Sequence, residues 1–176
     1  MREPRGDARL DDLLRANSSD LLAYFARRVD IPADAADLLS ELMIVVWRRQ
    51  RNIPATDQDA RPWMFGIARN VLRTHHRSAR RKSAIAERLR LELTAVQGTT
   101  TTGPDAGERA EAAAAVAALP TDLRELVTLV HWDGLSIVDA GTACGVNAST
   151  ARSRYARARM LLREALADSG ERVVSR

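Results

Sequence analysis

Cysteine is nearly missing from this 176-residue chain, where Cys144 stands alone. A single thiol excludes an internal disulfide and any metal site built from several cysteines. Aromatic residues make up only 4%, and there are nine glycines and six prolines, too few for a sheet protein with many tight turns. No apolar run approaches the ~20 residues that span a bilayer, and the N-terminus from Met1 to Asp12 is polar and charged. The expectation is a cytoplasmic all-α protein with no membrane insertion. Gly-rich phosphate loops, nucleophile elbows and metal-ligand spacings are also missing. His75 and His76 adjoin, so on a helix they diverge and make a poor metal pair. His131 and Cys144 are single residues expected at or near a core. No catalytic residue, metal or cofactor is therefore expected.

What the chain has instead is arginine. Lys82 is the only lysine, and the net charge is +4. The cations cluster: Arg69, Arg73, Arg77, Arg80, Arg81 and Lys82 run without an intervening acid, and Arg152, Arg154, Arg157, Arg159 and Arg163 meet only Glu164 at their end. Two separate basic segments suggest two contacts with a polyanion, although solvated helix faces can carry the same pattern.

Apolar spacing divides the chain. Leu13, Leu14, Leu21, Leu22 and Phe25 recur at helical steps until Ile31-Pro32 interrupts them, because proline cannot donate to a continuing helix. A first helix is expected to end near Asp30, with Asp34 capping a second that carries Leu38, Leu42, Val45 and Val46 to about Gln50. Asn52 to Pro62 reads as a loop. Helical periodicity resumes from Trp63 to Lys82 through Ile67, Val71 and Leu72. Gln97 to Gly107 is rich in threonine and glycine, lacks large apolar residues and reads as a linker. Beyond it, Glu108 to Leu119 is helix-prone and Pro120 opens another helix. The organisation expected is two small helical domains joined by a flexible linker: a tail over 1–12, a first domain over 13–93, the linker over 94–110, a second domain over 111–168 and a tail over 169–176.

The sharpest local signal runs from Leu135 to Thr150. Ser136 can cap a short helix that stops at Gly145, whose missing side chain permits a left-handed turn; Val146 anchors the turn and Asn147 caps the next helix. That is a helix-turn-helix. Ala148, Ala151, Tyr155, Ala158 and Leu162 share the buried face of the second helix. Asn147, Ser149, Thr150, Arg152, Ser153, Arg154 and Arg157 are left to contact DNA from its first turns.

A helix-turn-helix alone also fits a stand-alone dimeric regulator, so the first domain must decide. Asp34-Ala35-Ala36-Asp37-Leu38-Leu39-Ser40-Glu41 followed by Trp47-Arg48 resembles the polymerase-binding helix of extracytoplasmic-function sigma factors. Arg61-Pro62-Trp63-Met64-Phe65-Gly66-Ile67-Ala68-Arg69-Asn70 is similar to the helix after their promoter-opening loop. Leu119-Pro120, the helix-turn-helix and Thr150-Ala151-Arg152-Ser153-Arg154-Tyr155 resemble their second DNA-binding domain. The three motifs cover most of the chain in the family's order. Departures are Ser40 for glutamine, Thr74 for aspartate, Asp139-Ala140-Gly141 for Glu-Ile-Ala, and Ser149 for a frequent glycine.

The resemblance implies an alternative sigma factor that binds core RNA polymerase and directs it to promoter DNA, held when free by an anti-sigma factor. The first domain would be sigma region 2-like and the second region 4-like, reading the minus-ten and minus-thirty-five elements. Asp37, Glu41, Leu38 and Trp47 would bind polymerase. Arg61, Arg69, Asn70, Arg73, Arg77, Arg80 and Arg81 would hold DNA beside the Asn52 to Pro62 loop, which would capture a flipped base.

Overall fold

The computed structural model describes residues 4–93 and 108–174, with side chains over 8–81 and 112–167. Most of the expected linker therefore lies outside the described residues. Seven α-helices and a 3-10 turn at Gln50–Asn52 make up the regular structure of the described residues: α1 (Pro4–Ala26), α2 (Pro32–Arg48), α3 (Asp57–Leu93), α4 (Glu108–Ala118), α5 (Thr121–His131), α6 (Ile137–Cys144) and α7 (Ala148–Val174).

The helices form where the apolar spacing asks for them. In α1, Leu10, Leu13, Leu21, Tyr24 and Phe25 are buried, at steps that share one helical face. The helix begins nine residues before the expected domain start at 13, and Leu10 continues its stripe. Buried Asn17 sits in that stripe, its Nδ2 donating to the Leu13 carbonyl at 2.9 Å. In α2 the stripe is Ala35, Leu38, Leu42 and Val46. Ile31, not Asp34, occupies the N-cap, with Pro32 inside the first turn. Proline needs no N–H partner there, which leaves Asp34 to act on the helix dipole.

The expected Asn52 to Pro62 loop is shorter than its composition suggested. Thr56 caps α3: its hydroxyl accepts from the Asp59 N–H at 3.1 Å and donates to the Asp59 carboxylate at 2.6 Å. The cap starts the helix at Asp57, and Pro62 is carried within its second turn. Pro62 and its neighbours Ala60, Met64 and Phe65 are buried, so packing offsets the lost backbone bond. Trp63 is half-buried against the same core.

The two units are not separate bodies. One apolar cluster runs from Leu21, Phe25, Leu42 and Phe65 in the first to Leu126, Leu129, Leu135, Ala140 and Ala143 in the second. Tyr24 meets Phe25 and Phe65 edge-on at centroid distances of 5.4 and 5.6 Å. A smaller cluster of Leu119, Leu123, Val127 and Ala158 ties α5 to α7. Helix α6 seats against α3, and a side chain on Gly66 would meet the Ala143 carbonyl at 3.5 Å.

Candidate nucleic-acid and polymerase interface

The helix-turn-helix is built by its caps. The Ser136 hydroxyl accepts from the Asp139 N–H at 3.1 Å and donates to the Asp139 carboxylate at 2.6 Å, satisfying one orphan amide of α6. At the other end Gly145 is left-handed at φ 73°. Its N–H donates to Thr142 and that of Val146 to Gly141, at 3.0 and 2.9 Å, which closes the last turn and redirects the chain. Asn147 then accepts from the Thr150 N–H at 2.8 Å through its side-chain oxygen, starting α7. A Cβ on Gly141 would lie only 2.7 Å from the Ala151 Cβ. The residue that weakens α6 as a helix thus permits α7 to cross it closely.

Helix α7 buries Ala151 and Ala158 and leaves Asn147, Ser149, Arg152, Ser153 and Arg157 exposed. Two expected DNA contacts sit differently. Thr150 is half-buried, and the Arg154 Nε lies 3.4 Å from an Asp122 carboxylate oxygen at the start of α5. Arg154 therefore braces α7 against α5 rather than standing on the outer face.

On the first unit, Asn70, Arg73, Arg77, Arg80 and Arg81 are exposed along α3. Arg61 and Arg69 are not free. Arg61 donates to Asp20 at 2.7 Å and Asn17 at 3.2 Å, and reaches the Asp133 carbonyl of the second unit at 3.0 Å. Arg69 Nη2 donates to Glu125 of α5 at 2.7 Å, and its Nε approaches the other Glu125 oxygen at 2.7 Å as an ion pair without hydrogen-bond alignment. The Glu125 hydrogen bond holds the Arg69 guanidinium pKa above its ordinary value, against burial.

The Asp133 side chain is fully buried between Arg27 and Arg28, with Arg28 at 2.7 Å. None of Asp133, Glu125, Arg27 or Arg28 was legible as a site residue, because each gains its partner only when the units pack. Arg9 was not legible either, because its partners lie 45 and 46 positions away within the first unit. Its Nη2 donates to the Pro54 and Ala55 carbonyls at 2.7 and 2.9 Å, pinning the short loop before α3.

Helix α2 presents Asp37 and Glu41 to solvent, with Ile44 and Trp47 half-exposed at 50% and 47%. Leu38, expected to touch polymerase, points into the core at 3% exposure. Ile44 lies on the exposed side of α2 with the acids, three residues beyond Glu41. It could have been found, since it lies off the Leu38, Leu42, Val46 stripe. His131, expected near the core, is exposed and stacked on Tyr155 at 5.9 Å, with its Nε2 2.9 Å from the phenol oxygen.

Two family models match the chain: Sigma-70 region 2 over residues 13–82, and Sigma-70, region 4 over residues 109–162. The ECF RNA polymerase sigma factor EcfG of Rhodopseudomonas palustris is 35% identical over 164 residues, 90% of this chain and 85% of the relative. The ECF RNA polymerase sigma factor SigC of Mycobacterium tuberculosis is 32% identical over 158 residues, 88% of this chain and 82% of that one. Among solved structures, the sigma factor RpoE of Bartonella quintana, in complex with the anti-sigma factor NepR, shares the fold at TM-score 0.62 and 23% identity. That match covers 89% of this chain and 95% of RpoE. With both domains present in order and relatives matched over most of their length, the chain belongs to the extracytoplasmic-function sigma factors, the alternative sigma factors that direct bacterial RNA polymerase to promoters.

Proposed function

We propose that the exposed acidic and apolar face of α2 carries the polymerase contact, and that the two basic faces divide the promoter between them. The observation that carries this reading is the pairing of a capped helix-turn-helix, its basic face open, with an α2 face that leaves Asp37, Glu41, Ile44 and Trp47 at the surface. Large apolar side chains exposed beside charged ones are a feature of protein-binding patches. The first turns of α7 suit the major groove: Ser149, Arg152, Ser153 and Arg157 reach base edges while the helix N-terminus favours phosphate. Asn70, Arg73, Arg77, Arg80 and Arg81 hold the upstream duplex and the strand opened at the minus-ten element, beside the 53–56 loop.

Catalysis in this scheme belongs to polymerase. Strand opening is driven by binding energy, with captured bases offsetting lost stacking. The work is cytoplasmic, where polymerase and chromosome are. Arg61 and Arg69 join the DNA surface only after the second unit leaves Asp133 and Glu125 behind, so promoter binding is coupled to separation of the units. An anti-sigma factor that holds the units together would keep this chain off polymerase, as the relative from Bartonella is found with one.

The test is run-off transcription with purified core polymerase and fragmented genomic DNA from the source organism, with and without this chain. Discrete new start sites that disappear with Asp37→Lys/Glu41→Lys are expected. Tight binding of the chain alone to a palindrome, without new transcripts, would point to a stand-alone regulator instead.

A further inference from the structure

Between α1, α3 and α5 lies a cleft of about 610 Å³, within the size range of small-ligand sites. From the structure we infer that this interdomain cleft binds a compact polyphosphate of nucleoside-polyphosphate size, and that the bound ligand favours the closed arrangement of the two units. Helix α3 lines one wall with Arg73, Arg77 and Arg80, four and three residues apart and so on one face. These three make no ion pair or side-chain hydrogen bond among the described residues. The opposite wall is the first turn of α5, where Thr121 and Arg124 stand and the helix dipole is positive. Arg27 and Arg28 close the third side. They share the single Asp133 carboxylate, which leaves a positive charge over.

Six arginines thus meet one acidic side chain on the lining, Glu125, and Arg69 already neutralises it at 2.7 Å. Guanidinium groups bind phosphate through paired N–H bonds, so several phosphates close together satisfy such a cluster better than a single monoanion does. The ligand class is set by shape as well as charge. A duplex is convex, whereas this site is concave and takes a third of its lining, Thr121, Arg124, Glu125 and Thr128, from the second unit. His76 also lines the cleft. Its imidazole is held below the ordinary 6.5, by burial first and then by His75 and Arg80, against Asp30. A bound polyanion would reverse the cationic part of that shift.

By mass action a ligand that bridges both units stabilises the closed form and resists its opening on promoter DNA. The experiment titrates the full chain with inorganic tripolyphosphate at near-physiological salt, by calorimetry and by imidazole NMR, without polymerase or DNA. One saturable site and a rise in the His76 pKa are expected. Arg73→Gln/Arg77→Gln should weaken binding by about tenfold or more. Arg159→Gln/Arg163→Gln, which removes the same charge from an exposed stretch of α7, should change it by less than about twofold, as expected for screened distant charges. Asp133→Asn should weaken it too, because the cleft exists only while the units are packed. Equal losses in both arginine pairs would reduce the effect to general basicity. That result, no saturable binding, or full affinity in an Asp133→Asn chain whose scattering shows separated units overturns the inference. Competition by monophosphate at equal concentration would overturn the polyphosphate class.

Discussion

A side chain on Gly141 would stand 2.7 Å from the Ala151 Cβ, nearer than real side chains approach. Gly141→Ala gains about 1 kcal/mol of helix propensity but forces an overpacked crossing that costs about 1–3 kcal/mol. The expected outcome is a lower melting temperature, partly restored when Ala151→Gly is added. Thermal melts of the four combinations check it, and a stabilised Gly141→Ala would deny the close crossing. Cys144 shows the opposite kind of constraint. Burial, with Glu125 adding to it, pushes its thiol from the ordinary 9.0 up to about 11. The thiolate is therefore scarce at neutral pH, and alkylation of the folded chain near pH 8 should be far slower than that of a small thiol. Because the folded value is the raised one, the unfolded chain loses this proton first. The contribution to stability is present below pH 9 and is lost as pH rises toward 11, which urea melts across that range would read. Equal alkylation rates for folded and urea-unfolded chain would contradict the burial.

At the scale of the element, caps and faces do different work. Ser136 and Asn147 satisfy backbone amides of α6 and α7, so Ser136→Ala and Asn147→Ala should each cost about 1 kcal/mol in chemical denaturation. The face of α2 is expected to behave otherwise. Asp37→Lys/Glu41→Lys changes exposed groups, so the melt should hold while co-elution with core polymerase is lost. Leu38→Ala is the contrasting variant: Leu38 is buried, and its truncation should cost about 2–5 kcal/mol of stability. If Asp37→Lys/Glu41→Lys retained full polymerase binding, α2 would not be the contact helix.

Across the whole molecule, the closed arrangement depends on a buried carboxylate. Asp133 is fully enclosed and faces Arg27 and Arg28, while Gly66 of α3 packs against Ala143 of α6. Removing the carboxylate leaves Arg27 and Arg28 without their shared partner, but both stay partly exposed, so the cost falls below the about 3–5 kcal/mol of a fully buried pair. Asp133→Asn should therefore shift the chain toward separated units. Small-angle scattering is expected to report a larger radius of gyration, and DNA binding by the free chain should rise as Arg69 is released from Glu125. An unchanged scattering profile would mean that the apolar contact alone holds the units.

Most helices, the caps at Ser136 and Asn147 and the glycine turn were legible in the sequence, because these rest on partners three or four residues away. Ser136 needs Asp139, Asn147 needs Thr150, and the α2 stripe needs only its own period. Three local departures have local causes: Thr56 starts α3 before Pro62, Leu10 extends α1 into what composition marked as tail, and Pro32 in the first turn of α2 puts Ile31 rather than Asp34 at its cap. What only the tertiary structure decided is which arginines are free. Arg61 and Arg69 read like the rest of their basic run, yet they meet Asp133 and Glu125 at separations of 72 and 56 positions. Arg27 and Arg28 find Asp133 across 106 and 105. Periodicity carries no information at that range, since charge identity is local while charge pairing depends on how α6 and α5 come to rest against α3 and α1.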